Sequence, residues 1–259
     1  MEVDCIVKGS MVLAKERLDV LTVSRGLVES REQAQRLILA GDVFVNGHPL
    51  CKAGIKVDVD AAVVLRARSR YVSRGGEKLE GAFEAFPAWR VEGLQGVDVG
   101  ASTGGFTDCL LAHGATHVTA LDVGRGQLHA RLRTDPRVTV RERFNVRHLK
   151  ASDLDYTPAF AVFDVSFISL ELVMPPVVAV LAPEGEMITL IKPQFEAGRK
   201  EVGRGGVVRD PATRDAVIEK IRIFGENKLS LQWLGCVESP LTGPAGNVEY
   251  LAWWRTCVR

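Results

Sequence analysis

The chain has 259 residues, and its 33 lysines and arginines nearly balance its 32 aspartates and glutamates, so the formal net charge is only +1. A hydrophobic fraction of 46% and a charged fraction of 25% are those of an ordinary globular protein with one large domain or two unequal ones. This balance excludes a uniformly basic nucleic-acid binder, and any basic surface must be local.

Hydropathy and cysteine usage narrow the class further. The N-terminus has no apolar core long enough for a signal peptide, and charges and prolines interrupt the most apolar stretch, residues 159–183. We therefore expect a cytoplasmic protein without membrane association. The cysteines are odd in number and form no Cys-x-x-Cys pair, which argues against a disulfide framework and a zinc ribbon, and we expect no metal; they are Cys5, Cys51, Cys109, Cys236 and Cys257.

Residues 15–66 are predicted to form a compact α+β unit that begins with two helices. The first helix covers residues 17–23 and is closed by Gly26. Ser30 is the predicted N-cap of the second helix, which ends at Gly41. Four further residues support this helix by their spacing: Gln33 at the capping-box position, and Ala34, Leu37 and Ile38 on one face.

Short strands follow these helices. Residues 43–45 are apolar and β-branched or aromatic, and Asn46-Gly47 after them is a strong signal for a two-residue hairpin turn. Gly54 and Asp60 punctuate the rest of the segment. Later strand positions are predicted at Val57, Val59, Val63 and Leu65.

The run SREQAQRLILAGDVFVNGHPLCKAGIKVDVDAAVVL, residues 30–65, resembles the S4 RNA-binding domain. The resemblance implies an α+β domain over residues 1–66, including a short N-terminal extension, that binds structured RNA through one helical face. The alternative is an ordinary solvated helix surface. The basic residues expected on the RNA-binding face are Arg17, Arg25, Arg31 and Arg36.

A basic stretch follows this unit. Between residues 66 and 78, five basic side chains face a single acid, Glu77. Such a stretch can neutralise several phosphates and make binding salt-dependent. We interpret residues 67–77 as a basic linker and predict RNA contacts there, although a linker without an RNA role has the same composition; the residues are Arg68, Arg70 and Arg74.

From about Trp89 the pattern becomes that of a doubly wound α/β sheet. Val97-Asp98-Val99 predicts a buried strand, a glycine-rich turn follows over residues 100–105, and a helix comes next. The second apolar strand ends in Asp122, which lies 24 positions after Asp98. A strand, a glycine turn, a helix and an acid after the next strand are typical of a nucleotide or nucleoside cofactor site.

Two cofactors compete for this site. A dinucleotide site has the spacing GxGxxG, whereas Gly100, Gly104 and Gly105 form GxxxGG. S-adenosylmethionine also uses an acid after the second strand to hold ribose hydroxyls, but it has no pyrophosphate and does not require that glycine spacing. The residues favour S-adenosylmethionine, and an α/β scaffold with an ordinary tight turn remains the third interpretation.

A resemblance extends over nearly the whole chain. The motifs YVSRGGEKLEGA, DVGASTGGFTDCLL, ALDVGRGQL, FDVSFISL, LIKPQFEAGR and GPAGNVEYL resemble, in this order, those of the TlyA or hemolysin A family of 2′-O-ribose methyltransferases, which is related to FtsJ. It implies a Rossmann-like class I methyltransferase domain over residues 78–259, with S-adenosylmethionine at the carboxyl ends of the strands. It also implies cytidine in ribosomal RNA as the target, with ribosomal RNA or a ribosomal subunit as partner.

The same resemblance implies a Lys-Asp-Lys-Glu tetrad, matched here by Lys78, Asp164, Lys192 and Glu249. A ribose 2′-hydroxyl is a poor nucleophile while protonated, so the enzyme must align it and remove a proton. A lysine acts as a base only in its neutral form, which a nearby cation and a dry pocket favour. We expect Lys192 to be the base and Lys78 to supply the cation. Taken singly, each residue is also compatible with an ordinary surface or strand position.

The predicted cofactor contacts come from the first glycine turn and the acids at the strand ends. Asn145 is predicted near the adenine end. The set is Asp98, Gly100, Ser102, Thr103, Gly104, Gly105, Phe106, Asp122, Asn145 and Asp164.

Two further segments are basic. Between residues 125 and 150, eight basic side chains face two acids, which indicates an RNA-facing surface or decoration for solubility. Residues 196–209 are rich in glycine and cations, and we predict a mobile segment that becomes ordered on RNA.

Three other functions remain open at this stage: a non-catalytic RNA-binding protein that keeps the fold, a hemolysin that acts on membranes, and an S4-linked pseudouridine synthase. The intact tetrad argues against the first, and the lack of a signal peptide or spanning segment argues against the second. The glycine turn and the acid after the second strand are unexpected in the third. The sequence does not determine the oligomeric state.

Overall fold

The structure is a computed structural model that describes residues 14–39, 41–65, 70–198 and 200–257. The chain divides into two compact units, residues 1–68 and residues 69–259, and the hydrophobic cores of the two units are separate. The predicted N-terminal extension, residues 1–10, and the predicted RNA contact Arg68 lie outside the described residues. Within those residues, no helix is both long and apolar enough to cross a membrane.

The first unit is a small α+β domain. Strand β1 pairs antiparallel with β4, and β2 lies between β3 and β5, antiparallel to both. Leu18, Ala34, Ile38 and Val43 are fully buried in its core. Its elements are β1 (Lys15–Arg17), α1 (Leu18–Ser24), α2 (Arg31–Leu39), β2 (Val43–Val45), β3 (His48–Pro49), β4 (Lys56–Asp58) and β5 (Val63–Leu65).

The predicted helix cap and hairpin turn are confirmed. Oγ of Ser30 accepts a hydrogen bond from the backbone N–H of Gln33 at 3.2 Å, which satisfies one of the unpaired donors at the start of α2. Asn46 and Gly47 have φ angles of +50° and +81°, as a two-residue turn between twisted strands requires. Gly26, with a φ of +68°, follows the end of α1.

Two details of the first unit differ from prediction. Val59 is not a strand residue: β4 ends at Asp58, where its pairing with β1 ends, and Val59 lies in the following turn with 42% of its surface exposed. Arg17 was predicted in the first helix but lies in β1, because it pairs with Lys56 of β4.

The second unit has a seven-stranded sheet in the order β11-β12-β10-β9-β6-β7-β8. The five strands from β10 to β8 are mutually parallel, and β12 runs antiparallel to both β10 and β11. The elements are α3 (Arg74–Ala85), β6 (Gln95–Val99), α4 (Gly105–Ala112), β7 (His117–Leu121), α5 (Ala130–Arg133), β8 (Val138–Arg141), β9 (Phe160–Phe163), α6 (Leu170–Val180), β10 (Glu186–Ile191), α7 (Pro193–Glu196), α8 (Pro211–Leu229), β11 (Leu231–Glu238) and β12 (Tyr250–Thr256).

Both faces of this sheet are covered. Along β9, Phe160 and Val162 belong to one hydrophobic cluster, while Ala161 and Phe163 belong to the other. Alternate side chains of a strand point to opposite faces of the sheet. Because both faces are covered here, all four residues of β9 are buried, and the strand is a continuous apolar run. From β6 the strand order runs through β7 to β8 on one side, and from β9 it runs outward on the other side. The order therefore reverses between β6 and β9, and ligands bind at such a point, beyond the carboxyl ends of the strands.

The segment predicted as a linker is partly helical. Helix α3 begins at Arg74, so residues 74–77 form its first turn rather than an extended connection. The backbone N–H of Val72 donates to Oδ2 of Asp108 at 2.8 Å, which joins this segment to α4. Gly76 packs so closely on Tyr71 that an added Cβ would lie 2.3 Å from it, and only glycine permits that approach.

Candidate active site

A cavity of about 620 Å³ opens at the carboxyl ends of β6, β9 and β10. This volume lies within the usual range for small-molecule sites. Its walls include residues from the start of α3, from the glycine turn after β6, and from the loops that follow β9 and β10. Residues 202–206 and residues 242–249 contribute the remaining walls.

All four residues of the predicted tetrad line this cavity. Lys78 lies on α3, and its Nζ is 2.5 Å from Oε2 of Glu249, which precedes β12. Lys192 follows β10, and its Nζ is 2.6 Å from Oδ1 of Asp164, which follows β9. The tertiary structure therefore brings the four residues together as two lysine–carboxylate pairs.

These pairs differ in their surroundings. Lys78 and Glu249 are 8% and 1% exposed, so each charge relies on the other for compensation. Lys192 is 7% exposed and also donates to Oγ of Ser166 at 3.0 Å, and its Nζ lies 5.9 Å from the ring centre of Phe195. A carboxylate and a hydroxyl thus fix the Lys192 amine at the cavity wall. The expectation that Lys78 supplies a cation to Lys192 stays a prediction.

Glycine is required at two positions of the turn after β6 because the backbone there packs closely against other parts of the domain. Gly100 has a φ of +86°, and an added Cβ would lie 2.6 Å from the backbone oxygen of Asp164. Gly104 has a φ of +93°, but its Cβ position faces Leu132, 2.3 Å from that side chain, and Gly104 does not line the cavity. The other predicted contacts in this turn do line it: Gly100, Ser102, Thr103, Gly105 and Phe106.

Asp98 lies behind the turn rather than in the cavity wall. It is fully buried, and its Oδ2 accepts hydrogen bonds from the backbone N–H and the hydroxyl of Thr107 at 3.0 and 2.6 Å. Burial raises the pKa of Asp98 to about 7. Its Oδ1 is buried and has no hydrogen-bond partner among the described residues. The carboxylate therefore organises the start of α4, and one buried acceptor stays unsatisfied.

Asp122 and Asn145 also lie outside the cavity wall. The carboxylate of Asp122 accepts from the backbone N–H of Ser102 at 2.8 Å and from that of Gly124 at 2.6 Å, so it borders the cavity through Ser102. Oδ1 of Asn145 accepts from the backbone N–H and from Nε of Arg147, both at 3.2 Å, and thereby caps a short 3-10 turn. Asp122 retains carboxylate lone pairs for a ligand. The contact of Asn145 with the adenine stays a prediction.

The residues present fit S-adenosylmethionine. Its positively charged sulfur and amino group match a site that is lined by Asp164 and bordered by Asp122 through Ser102. Gly100, Ser102, Thr103 and Gly105 line the cavity, so the turn after β6 presents backbone and small side chains to a nucleoside. Asp122 would hold the ribose of the cofactor, and the turn after β6 would lie against the rest of S-adenosylmethionine.

Replacing Asp122 by alanine is expected to weaken S-adenosylmethionine binding about 10- to 100-fold, because hydrogen bonds to a charged group contribute roughly 1.5–3 kcal/mol. Isothermal titration calorimetry measures the affinity directly. Asp153→Ala is the control, since Asp153 also accepts from a backbone N–H, that of Lys150 at 2.9 Å, but lies outside the cavity lining. If both variants bind like the unmodified chain, Asp122 is not a ribose ligand.

The structure assigns intramolecular partners to most of the arginines predicted to bind RNA. Arg17 and Arg31 each lie 2.9 Å from Oδ2 of the fully buried Asp19, and the hydrogen bond from Arg17 is the main reason why the pKa of Asp19 lies well below its usual range. Arg25 donates to the backbone oxygens of Ala61 at 2.6 Å and Val59 at 2.5 Å. Arg36 is exposed on α2.

Of the predicted contacts in the basic stretch, Arg70 lies 3.2 Å from Oε1 of Glu80, and Arg74 lines the cavity and donates to the backbone oxygen of Thr242 at 3.3 Å. RNA contact by all of these arginines stays a prediction.

Several cavity residues were missed by the sequence reasoning. Phe167 has a φ of +62° and is 90% exposed, and its ring centre lies 5.0 Å from that of Phe195. Both rings lie within three positions of a tetrad residue, in the motifs FDVSFISL and LIKPQFE, so motif proximity was the available signal. The other missed residues include Ser73, Ser166, Thr242 and Asn247.

The fold and the site together define a class: a doubly wound α/β domain of the class I methyltransferase type, preceded by a small α+β unit. The predicted fold class is confirmed. The family model described as FtsJ-like methyltransferase matches residues 71–256, and the S4 domain model matches residues 16–63.

Comparison with individual proteins identifies the family. The 16S/23S rRNA (cytidine-2′-O)-methyltransferase TlyA of Mycobacterium tuberculosis is 46% identical over 246 residues, which cover 93% of this chain and 90% of that protein. Hemolysin A of Brachyspira hyodysenteriae is 46% identical over 242 residues, covering 91% and 98%. A solved structure from Streptococcus thermophilus, described as a hemolysin, is 42% identical with a TM-score of 0.74 and covers 95% of this chain and 90% of its own. The chain belongs to the FtsJ-like methyltransferases, in the S4-containing TlyA family.

Proposed function

We propose that this chain transfers the methyl group of S-adenosylmethionine to the 2′-hydroxyl of a cytidine in ribosomal RNA. The observation that carries the proposal is the convergence of two lysine–carboxylate pairs in one cavity beside the glycine turn. The named relative from Mycobacterium tuberculosis supports cytidine and ribosomal RNA as the target. An enzyme with this substrate works where ribosomes are assembled, in the cytoplasm.

The cofactor supplies an electrophilic methyl group on a positively charged sulfur, and the chain supplies alignment and a base. Holding the two reactants in line contributes about 7–11 kcal/mol of the barrier reduction in well-oriented reactions. The glycine turn and Asp122 provide that alignment on the cofactor side. The walls from residues 202–206 and 242–249 provide it on the RNA side.

Lys192 is the proposed general base. In its neutral form, Nζ takes the proton of the 2′-hydroxyl as the oxygen bonds the methyl carbon and the methyl–sulfur bond breaks, and Asp164, 2.6 Å away, stabilises the ammonium group that forms. Oγ of Ser166, at 3.0 Å, restricts the orientation of the amine. Lys78 and Glu249 supply a second, buried ion pair that shapes the field and holds α3 to the loop before β12.

Methyl transfer with the purified chain tests the proposal. The assay uses S-adenosylmethionine with a tritiated methyl group and ribosomal RNA from cells that lack the enzyme, and the modified nucleoside is then mapped. We expect label on the 2′-oxygen of cytidine. Label on a base would overturn the ribose assignment. Cofactor and RNA binding without any transfer would favour the alternative, a non-catalytic RNA-binding protein that retains the fold.

Arg36→Ala is expected to weaken RNA binding several-fold and to reduce the slope of log affinity against log salt by about one, because one phosphate contact is lost. Filter binding at several salt concentrations measures both quantities. Arg222→Ala is the control: it removes the same charge from α8, where Arg222 pairs with Glu219 and Glu226. Equal behaviour of the two variants would exclude Arg36 from the RNA interface.

A further inference from the structure

Asn247 is outside the tetrad, yet it joins two segments that wall the cavity. The residue is 2% exposed. Its Oδ1 accepts from the backbone N–H of Val208 at 3.0 Å, and its Nδ2 donates to the backbone oxygen of Gly206 at 2.8 Å. Its own backbone oxygen accepts from the N–H of Gly243 at 2.8 Å. One amide side chain thus attaches residues 203–208, the glycine-rich segment, to the loop that carries Glu249.

The glycine-rich segment is a small unit with its own turn. The N–H of Gly203 donates to the oxygen of Val207 at 3.1 Å, and the N–H of Gly206 donates to the oxygen of Gly203 at 3.0 Å. Gly205 and Gly206 have φ angles of +85° and +74° and line the cavity. Since the turn is closed internally, its place in the cavity wall depends on its attachments, and Asn247 provides two of them.

The composition of this turn indicates what rests against it. An added Cβ at Gly205 or Gly206 would meet nothing within 4 Å, so the positive φ angles and the open space leave bare backbone at the cavity. Arg204 and Arg209 flank the glycines and are exposed. Bare backbone next to cations suits a sugar with its phosphodiester, because the backbone permits close approach and arginines bind phosphate oxygens.

At its other end, Asn247 lies two positions before Glu249 and within the segment that contributes Thr242, Pro244 and Ala245 to the cavity. Its side-chain bonds go to Val208 and Gly206, and neither residue belongs to the tetrad. A change at Asn247 should therefore act on the cavity wall through the turn at residues 203–207 and leave Lys192 and Asp164 in place.

We propose that Asn247 is a positioning residue, which fixes Gly205 and Gly206 as the wall that receives the ribose and phosphodiester of the target nucleotide. This inference rests on the proposed function. Both bonds require an amide, because one atom accepts and the other donates. An ionised aspartate supplies no donor and repels the oxygen of Gly206, whereas a protonated aspartate supplies one.

The test compares Asn247→Asp and Asn247→Ala with Ser239→Ala. Ser239 is 6% exposed and lies in the same segment as Asn247. Its hydroxyl donates to the backbone oxygen of Leu241 rather than to the turn at residues 203–207. With tritiated S-adenosylmethionine and ribosomal RNA from cells lacking the enzyme, we expect both Asn247 variants to raise KM for RNA about tenfold, as loss of a buried polar partner would. The kcat value and the S-adenosylmethionine affinity should change little, and Ser239→Ala should leave KM unchanged.

Two further readouts separate positioning from stability. The KM defect of Asn247→Asp should shrink as the pH falls from about 8 to about 6, because burial favours protonation of the new carboxyl group. The defect of Asn247→Ala should not change with pH. Hydrogen exchange at the amide of Val208 should be faster in Asn247→Ala than in Ser239→Ala, because alanine removes the acceptor of that amide, whether or not methyl transfer is measurable.

Unchanged exchange at Val208 in Asn247→Ala would overturn the attachment, even if the unmodified chain transfers no methyl group. Faster exchange with an unchanged KM would overturn the role in receiving RNA. If the unmodified chain lacks activity while exchange responds as expected, the proposed function fails and the attachment stands.

Discussion

Replacing Lys192 by alanine is expected to lower methyl transfer to ribosomal RNA by about 10²- to 10⁴-fold, the usual contribution of a well-placed base. The amine that takes the hydroxyl proton is lost, while the glycine turn and Asp122 are untouched. S-adenosylmethionine affinity and RNA affinity should therefore remain close to those of the unmodified chain. The change should appear in kcat rather than in KM.

Single-turnover methyl transfer, with enzyme in excess over RNA, measures this effect without product release. Lys220→Ala is the control, because Lys220 also pairs with carboxylates, Glu171 at 3.2 Å and Glu196 at 3.8 Å, but does not line the cavity. Circular dichroism checks the fold of both variants. If Lys192→Ala keeps more than a tenth of the rate, Lys192 is not the base.

Breaking the other ion pair should act mainly on stability. Glu249→Ala leaves the Lys78 ammonium, 8% exposed, without its carboxylate partner, and an uncompensated buried charge of this kind costs about 3–5 kcal/mol. The double variant Lys78→Met/Glu249→Leu removes both charges and should recover most of the lost stability. Its methyl transfer should remain low, because the second ion pair of the site is absent.

Urea unfolding followed by tryptophan fluorescence measures this loss in the second unit, since all four tryptophans lie there: Trp89, Trp233, Trp253 and Trp254. An unchanged midpoint for Glu249→Ala would mean that the pair is not buried in solution. A double variant that is both stable and fully active would mean that this ion pair has no part in the reaction.

The features of the fold that were predicted correctly depend on neighbouring residues. The cap of α2 needs only Ser30 and the N–H three positions later, and the hairpin needs only Asn46 and Gly47. The strand–turn–helix unit at Gly100 is likewise local, and the apolar runs of β6 and β9 follow from burial on both faces of a parallel sheet.

The predictions that failed or changed involve partners distant in the chain. Val59 lies outside β4 because the pairing with β1 ends first, and residues 74–77 are helical because their segment packs on α4. The partner of Arg25 is also distant, a carbonyl 36 positions away, and its predicted RNA contact stays a prediction. Side-chain type indicates that a residue can bind a phosphate, but not whether that side chain already has a hydrogen-bond partner within the protein.

The sequence by itself determined the two domains, the family and the identity of the four polar residues, since these depend on motifs whose residues are adjacent. Only the tertiary structure decided which lysine pairs with which carboxylate: Lys78 meets Glu249 across 171 positions, and Lys192 meets Asp164 at the ends of adjacent parallel strands. It also decided that Asp98 supports the start of α4 from outside the cavity and that Asn247 bonds Gly206 in the cavity wall. Such contacts depend on how the strands are ordered in the sheet, and that order comes from the packing of the whole core.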